Sequence, residues 1–201
     1  MHILREEGRA ALTIARLAKE ADAAVGALYR YFSGKDALLA ALQGRAILAF
    51  DEALSKKLEQ LPPADDARAA LRRVIAVLEA WDAFASEAPE LHQLIDESMS
   101  HPAPLLEDEH ALAVEQQLDP MIERCTTLID AAVAQGALEP GSSELRTFSC
   151  LAALHGADHF RKRDRFAREP RRFPAIRREL NRTILRGWGA SAELVDELLG
   201  S

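Results

Sequence analysis

The chain is poor in everything that breaks or staples a fold. Of 201 residues only 2 are Cys, 9 Pro and 10 Gly, and aromatics make up 5%. Two thiols, Cys125 and Cys150, are too few for a disulfide-built scaffold, and without a secretory leader they read as reduced core residues. So little Pro and Gly excludes collagen-like and low-complexity chains, and few aromatics beside much Ala, Leu, Glu and Arg disfavour sheets. No run approaches the roughly 20 apolar residues that span a bilayer. Met1 to Glu7 is charged where a leader peptide is apolar, so the expected location is the cytoplasm, with no membrane partner. What is present, 48% hydrophobic and 28% charged residues, suffices for the core of one or two domains.

The net charge of −7 is unevenly spread. Residues 1–60 carry 9 basic and 8 acidic side chains, residues 61–160 carry 5 and 18, residues 161–186 carry 11 and 3, and the last fifteen carry 0 and 3. Acid is concentrated mid-chain, so the near-neutral head remains open to a polyanionic partner that the total would argue against.

Apolar residues recur at three- and four-residue spacing almost throughout, as in Leu71, Val74, Ile75, Leu78 and Trp81, which is helical periodicity; alternating runs are absent. Breaks at Gly8, Asp22 to Ala24, Ser33-Gly34, Pro62-Pro63, Pro89, Pro102 to Pro104, Gly136 to Ser143 and Arg163 to Pro174 divide the chain into helices near 1–7, 13–21, 24–32, 35–59, 65–87, 105–135, 143–162 and 174–188. Leu194, Val195, Leu198 and Leu199 make a short amphipathic tail. The expected fold is all-α. Short helices followed by long ones point to a three-helix head and a larger helical body.

The head carries the chemistry. Thr13 is a good N-cap, and Ile14, Leu17, Ala18 and Ala21 form one apolar stripe behind it. Asp22 tolerates the left-handed backbone of a tight turn, after which Val25, Leu28 and Phe32 resume a stripe. Two short helices joined by a tight turn make a helix-turn-helix. The opposite face of the second helix holds Gly26, Ala27, Tyr29, Arg30 and Tyr31 where a structural helix would hold Glu, Lys or Gln. Small residues let the helix start approach base edges, phenols bond phosphates, and Arg30 reaches a guanine edge or a backbone oxygen; the competing reading is a short packed helix with a part-buried Tyr pair. Ser33 and Asp36 have capping-box spacing, which starts the next helix near Gly34 and puts Lys35 where the helix dipole disfavours a cation. A DNA phosphate over that helix start would offset the penalty, and a plainly solvated lysine is the alternative.

The runs L-T-I-A-R-L-A-K-E-A, G-A-L-Y-R-Y-F and S-G-K-D-A-L-L-A-A-L closely resemble the DNA-binding head of TetR-type bacterial transcriptional regulators, with the L-Y-x-Y-F-x-x-K-D/E-x-L core at Leu28 to Leu38. About thirty residues carry the resemblance. It implies a homodimer whose third helix enters the major groove, and a body that binds an inducer and dimerises through its last two long helices. By that likeness Thr13, Gly26, Ala27, Tyr29, Arg30, Tyr31 and Lys35 sit at DNA-facing positions. The chain departs from the family in its turn, Ala21-Asp22-Ala23-Ala24 in place of an A-G-V sequence, and in leaving only Met1 to Glu7 ahead of Gly8 for a first helix.

In the body, Trp81, Phe84, His92, Met99, His101, Met121, Cys125, Phe148 and His155 are soft or polar side chains at helical spacing, which by itself is core packing. The resemblance is what makes Trp81, Phe84, His92, Met99, Met121, Cys125, Phe148 and His155 candidates for lining an inducer pocket. His155 and His159 stand four apart with Asp158 beside them, a metal-compatible spacing, but interface packing is the better reading and neither metal nor cofactor is expected. The basic run Arg161 to Arg186 reads as a solvated loop and helix face that pairs with acid on a partner subunit, in preference to a second nucleic-acid patch. No nucleophile elbow, phosphate loop or paired carboxylates stand out, so no enzyme is expected. The sequence therefore leads to a helix-turn-helix DNA-binding domain over 1–45 and a helical ligand-binding and dimerisation domain over 46–201. Their expected role is that of a ligand-responsive regulator, a repressor released from a pseudo-palindromic operator by a small molecule. The competing expectations are a protein of the same fold without an inducer, and a helical enzyme or interaction protein that no longer binds DNA.

Overall fold

A computed structural model of the chain describes residues 11–100 and 104–200. The described residues are helical with no strand: α1 (Ile14–Glu20), α2 (Val25–Leu28), α3 (Lys35–Glu59), α4 (Ala67–Glu87), α5 (Pro89–Ser100), α6 (Asp108–Ala134), α7 (Ser143–Asp158), α8 (Phe173–Gly187) and α9 (Ala192–Leu199). A 3-10 turn over Arg161–Arg163 lies in the connection from α7 to α8. The expected first helix near 1–7 and His101 lie outside the described residues.

Two expectations about elements need correction. The sequence pattern placed no helix between Pro89 and Pro102, yet α5 occupies that stretch with Pro89 as its first residue. Proline is well suited there, because its fixed φ fits the helix and its missing N–H is one that a first turn leaves unbonded anyway. The helix expected over 143–162 stops at Asp158.

The chain forms two compact units, residues 1–51 with 84–119 and residues 52–83 with 120–201. In the first, Leu12, Ile14, Leu38, Leu39, Ala40 and Leu106 form a buried cluster, and Leu17, Leu28, Phe32, Leu42 and Val114 pack on it half-buried. Phe50 and Phe84 add a tilted ring pair at 5.4 Å between centroids. Gly44 is needed on α3 because a Cβ there would collide with the side chain of Gln117 on α6.

In the second unit, Leu54, Leu58, Leu71, Val74, Ile75, Leu78, Leu128, Ile129, Leu154, Leu185 and Val195 fill the core. Its helix ends are closed by named devices. Arg73 donates from Nη1 to the carbonyls of Leu58, in the last turn of α3, and of Pro62, just beyond it, both at 3.1 Å. Ser142 and Ser191 cap α7 and α9 by accepting the Leu145 and Leu194 amides, each at 3.2 Å. Gly136 and Gly189, with φ of 72° and 92°, provide the left-handed residue that ends α6 and α8.

Candidate nucleic-acid interface

The head is built around one turn. Thr13 Oγ1 accepts the Arg16 amide at 3.1 Å and so starts α1 as its N-cap. At the other end Asp22 adopts φ 48°, the Ala23 amide reaches back to the Ala18 carbonyl at 2.9 Å, and the Asp22 amide reaches the Lys19 carbonyl at 3.4 Å. That pair of bonds is a Schellman closure with aspartate at the left-handed position where glycine is the usual residue.

The following helix is shorter than its pattern suggested. Residues 24–32 are α-helical only over Val25–Leu28. Beyond it the Arg30 and Tyr31 amides bond three residues back, to Ala27 and Leu28, and Phe32 returns to Leu28 at 2.9 Å, so the chain keeps coiling with a tighter pitch. Leu28 and Phe32 hold this segment on the core, whereas Val25, expected on the same stripe, is exposed.

Coiling in this way turns the polar side chains outward. Tyr29 is 56% and Tyr31 78% exposed, Arg30 and Gly26 are exposed, Ala27 is half-buried, and Thr13 is exposed beside its cap. α3 begins at Lys35, as expected, and Lys35 is half-buried. Among the described residues the side chains of Tyr29, Arg30, Tyr31 and Lys35 make no hydrogen bond or ion pair. The expected capping box between Ser33 and Asp36 does not form. Asp36 Oδ2 instead accepts the Glu107 amide at 3.3 Å, and neither side chain bonds the first turn of α3. Two phenols, a guanidinium and an ammonium with no internal partner, next to an uncapped helix start, are suited to phosphate oxygens.

The pocket candidates fall into both compact units, and each unit is described by itself. In the first, Phe84 and His92 are buried and Met99 faces solvent; in the second, Trp81, Met121, Cys125 and His155 are buried and Phe148 faces solvent. Trp81 and His155 meet edge to face at 4.7 Å. Burial pushes the Cys150 thiol up to about 12, with the nearby Cys125 adding to the shift and Arg177 opposing it, so it stays protonated. His159 is exposed while His155 is buried, so the two imidazoles do not share a site. Among the described residues no three His, Cys, Asp or Glu side chains are grouped to hold a metal.

Two features escaped the sequence reading. The first is an open groove of 660 Å³ within the second unit, lined by Ser55, Leu58, Glu59, Arg73, Pro120, Glu123, Arg124, Thr127 and Leu128. Its floor is the buried pair Leu58 and Leu128 and its walls are partly or fully exposed positions, none of which carries a pattern of its own. The second is a buried charge cluster. Arg177, 3% exposed, bonds Asp158 at 2.6 Å and pairs with Asp82 at 3.1 Å. Trp81 Nε1 donates to Asp158 at 2.7 Å, and Arg161 adds a further bond to Asp158 at 3.0 Å. Arg182 and Arg186 both pair with Asp196, so the basic run is part core and part closed surface rather than uniformly solvated.

Comparison with known proteins agrees with this geometry. Residues 1–42 match the family described as bacterial regulatory proteins, tetR family. Comparison with curated proteins gives no match. Among solved structures, a bacterial regulatory protein in the tetR family from Rhodococcus RHA1 is 17% identical with a TM-score of 0.66, over 94% of this chain and 93% of that one. The fatty acid degradation regulator FadR from Bacillus halodurans is 15% identical with a TM-score of 0.68, over 94% and 92%. The TetR-family transcriptional regulator PfmR from Thermus thermophilus is 23% identical with a TM-score of 0.61, over 92% and 93%. Among the described residues no helix is long and apolar enough to cross a membrane. The chain therefore carries the TetR-type helix-turn-helix head at its N-terminus and, along almost its whole length, has the fold of the TetR-family regulators.

Proposed function

We propose that the chain is a cytoplasmic, homodimeric transcriptional repressor that binds a pseudo-palindromic operator and leaves it when a small molecule occupies the body. The observation that carries this reading is the set of exposed Tyr29, Arg30 and Tyr31 and half-buried Lys35, without hydrogen-bond or ion-pair partners among the described residues, over the apolar base of Leu28 and Phe32. In this reading residues 1–45 read DNA and residues 46–201 bind ligand and dimerise. Gly26 and Ala27 lie closest to the groove floor, Arg30 contacts base or phosphate, and Thr13, Tyr29, Tyr31 and Lys35 hold the phosphates.

A second copy is needed because a palindrome is read by two symmetric heads about 34 Å apart, one DNA turn. The exposed face of α7 supports dimerisation. Leu145 is 68% and Phe148 43% exposed, and Ser149, Ala152 and Gly156 continue the same face outward. Apolar side chains left open at helical spacing, with small residues that permit close approach, suit a self-complementary contact. A ligand would act by favouring a dimer shape whose heads no longer match successive grooves. None of these roles requires the chain to be an enzyme.

The decisive experiment is a mobility-shift titration of the protein against the DNA upstream of its own gene. A shift at nanomolar protein that survives excess random duplex, and that two symmetric half-sites are needed to produce, supports the reading. Equal affinity for every duplex, or none, refutes it.

A further inference from the structure

The connection from α7 to α8 carries more charge than the fold uses. Among the described residues, Lys162, Arg163, Arg165, Arg168 and Arg171 are exposed and make no ion pair, within ten residues that hold only two acids, Asp164 and Glu169. The loop is nonetheless tied at both ends. Arg161 is fastened to Asp158 and lies 4.0 Å from the Phe173 ring, and Asp164 Oδ1 accepts the Phe173 amide at 2.6 Å. Two aromatics accompany the free cations: Phe160, beneath Arg163 at 5.6 Å, and Phe166, 80% exposed beneath Arg165 at 4.6 Å.

Duplex DNA would answer the charges but offers open phenyl rings little beyond a thymine methyl in the groove, because its base faces are stacked away. A protein surface with both acid and apolar groups answers both. The chain itself displays such a surface in line with the loop. Along the exposed face of α7 the order is Glu144, then Leu145, Phe148, Ala152 and Gly156, and then Phe160 and the basic loop. Glu144 is exposed and unpaired. The face is thus acidic at its start, apolar along its middle and basic at its end. A face ordered in this way complements its own copy when the two helices run antiparallel about a twofold axis, since each end then meets the opposite charge.

Resting on the homodimer reading above, we propose that the arginine–phenylalanine loop over 160–172 clasps the acidic start of α7 in a second copy of this chain, making subunit association dependent on salt. Exposed pairs are weak singly and strongly screened, so the signature is a slope against ionic strength rather than a large affinity.

Sedimentation of the full chain at several salt concentrations tests this. The dimer dissociation constant of the wild-type chain should rise about tenfold between low and high salt, where the screening length falls from about 30 Å to a few Å. R163Q/R165Q should weaken the dimer at low salt and flatten the slope, with helix content unchanged by circular dichroism. R163E/R165E should weaken it further, and adding Glu144→Lys to that variant should recover most of the loss, which a merely misfolded loop would not allow. An unchanged constant and slope in R163Q/R165Q, alongside dissociation by Phe148→Arg, overturns the clasp and leaves the dimer standing. An R163Q/R165Q dimer of normal strength that has lost binding to a random single-stranded oligonucleotide or to phosphatidylserine vesicles also overturns it, and gives the loop to another polyanion. A wild-type chain that stays monomeric at all concentrations removes the homodimer reading together with the clasp.

Discussion

Two arginines, one in each compact unit, are used in opposite ways. In the second unit Arg177 is buried, and its charge is answered by Asp158 and Asp82, with Trp81 and Arg161 completing the bonds to Asp158. In the first, Arg30 stands in the open beside Tyr29, Tyr31 and Lys35, and none of the four side chains has a partner among the described residues. A buried charge has to be matched from within, because an unmatched one costs several kcal/mol; an exposed one is solvated at little cost and stays available to a ligand. The comparison therefore separates residues that hold the fold from residues that wait for something else, and the difference in composition is the two carboxylates that only the buried group contains. It also predicts that substitutions in the two places fail in different assays.

The largest effect is expected at the closed cluster. Arg177→Leu removes the cation from between two carboxylates while leaving both in place, and a broken buried pair typically costs about 3–5 kcal/mol. Urea denaturation should show a loss of at least about 3 kcal/mol, moderated because Arg161 and Trp81 still serve Asp158. A loss below about 1 kcal/mol would mean that the cluster is dispensable and that the contrast with the head is one of exposure only.

Arg30→Ala and Tyr29→Phe should do the reverse. Both side chains are exposed and bond nothing internally, so unfolding free energy should move by no more than about 0.5 kcal/mol. Operator binding should weaken by about 1–3 kcal/mol for Arg30→Ala. Lys35→Ala should weaken binding on specific and random DNA alike and lower the slope of log K against log salt by about one unit. If these variants lower the unfolding free energy by more than about 1 kcal/mol while leaving DNA affinity unchanged, the open set is structural after all.

How much of this was legible beforehand follows the same division. The head could be read because its signals are local: Thr13 as a cap, Asp22 as a left-handed residue and Lys35 as a helix start are each decided within a few residues, and each is found. Where a local signal met a long-range competitor it failed. Asp36 has capping-box spacing, yet its carboxylate is taken by the Glu107 amide, seventy-one positions along the chain. The Arg177 cluster was hidden for the same reason, since Asp82, Asp158 and Arg177 lie on three helices and only packing brings them together. The basic run therefore reads as uniform in sequence although it contains the buried Arg177, the paired Arg161, Arg172, Arg182 and Arg186, and several free cations. The eight pocket candidates rest on the family resemblance and on residue type, neither of which says which way a side chain points: Met99 and Phe148 face water.

A smaller effect is expected at Glu79. Burial raises its carboxyl, but bonds and charges from Arg72 and Lys57 outweigh that and hold it below the usual value. A group depressed in the folded state contributes stability above its unfolded pKa and loses it as the pH falls through the folded one. Glu79→Gln should therefore reduce stability at neutral pH and flatten its decline below about pH 4.5, the ordinary carboxylate value. With the side chain still 35% exposed, water screens the pairs and the difference should stay under about 1 kcal/mol. Parallel acid-denaturation curves for the two proteins would show that the pairs contribute nothing.

The smallest effect tests the turn that aims the head. Among the described residues three helices end in the same Schellman closure, at Asp22, Gly136 and Gly189, and of these only the one in the head has a residue with a side chain at the left-handed position. Asp22→Gly removes the steric cost of φ 48° but adds freedom to the unfolded chain, so the net gain should be about 0.5 kcal/mol. Gly136→Ala makes the opposite change in the body and should cost about 1 kcal/mol, since φ is 72° there and an added Cβ meets open space, which leaves backbone strain as the only penalty. Thermal denaturation of both variants resolves the two signs. If Asp22→Gly leaves stability unchanged or lowers it, the aspartate side chain is holding the turn, and the lack of a glycine at that position is no weakness.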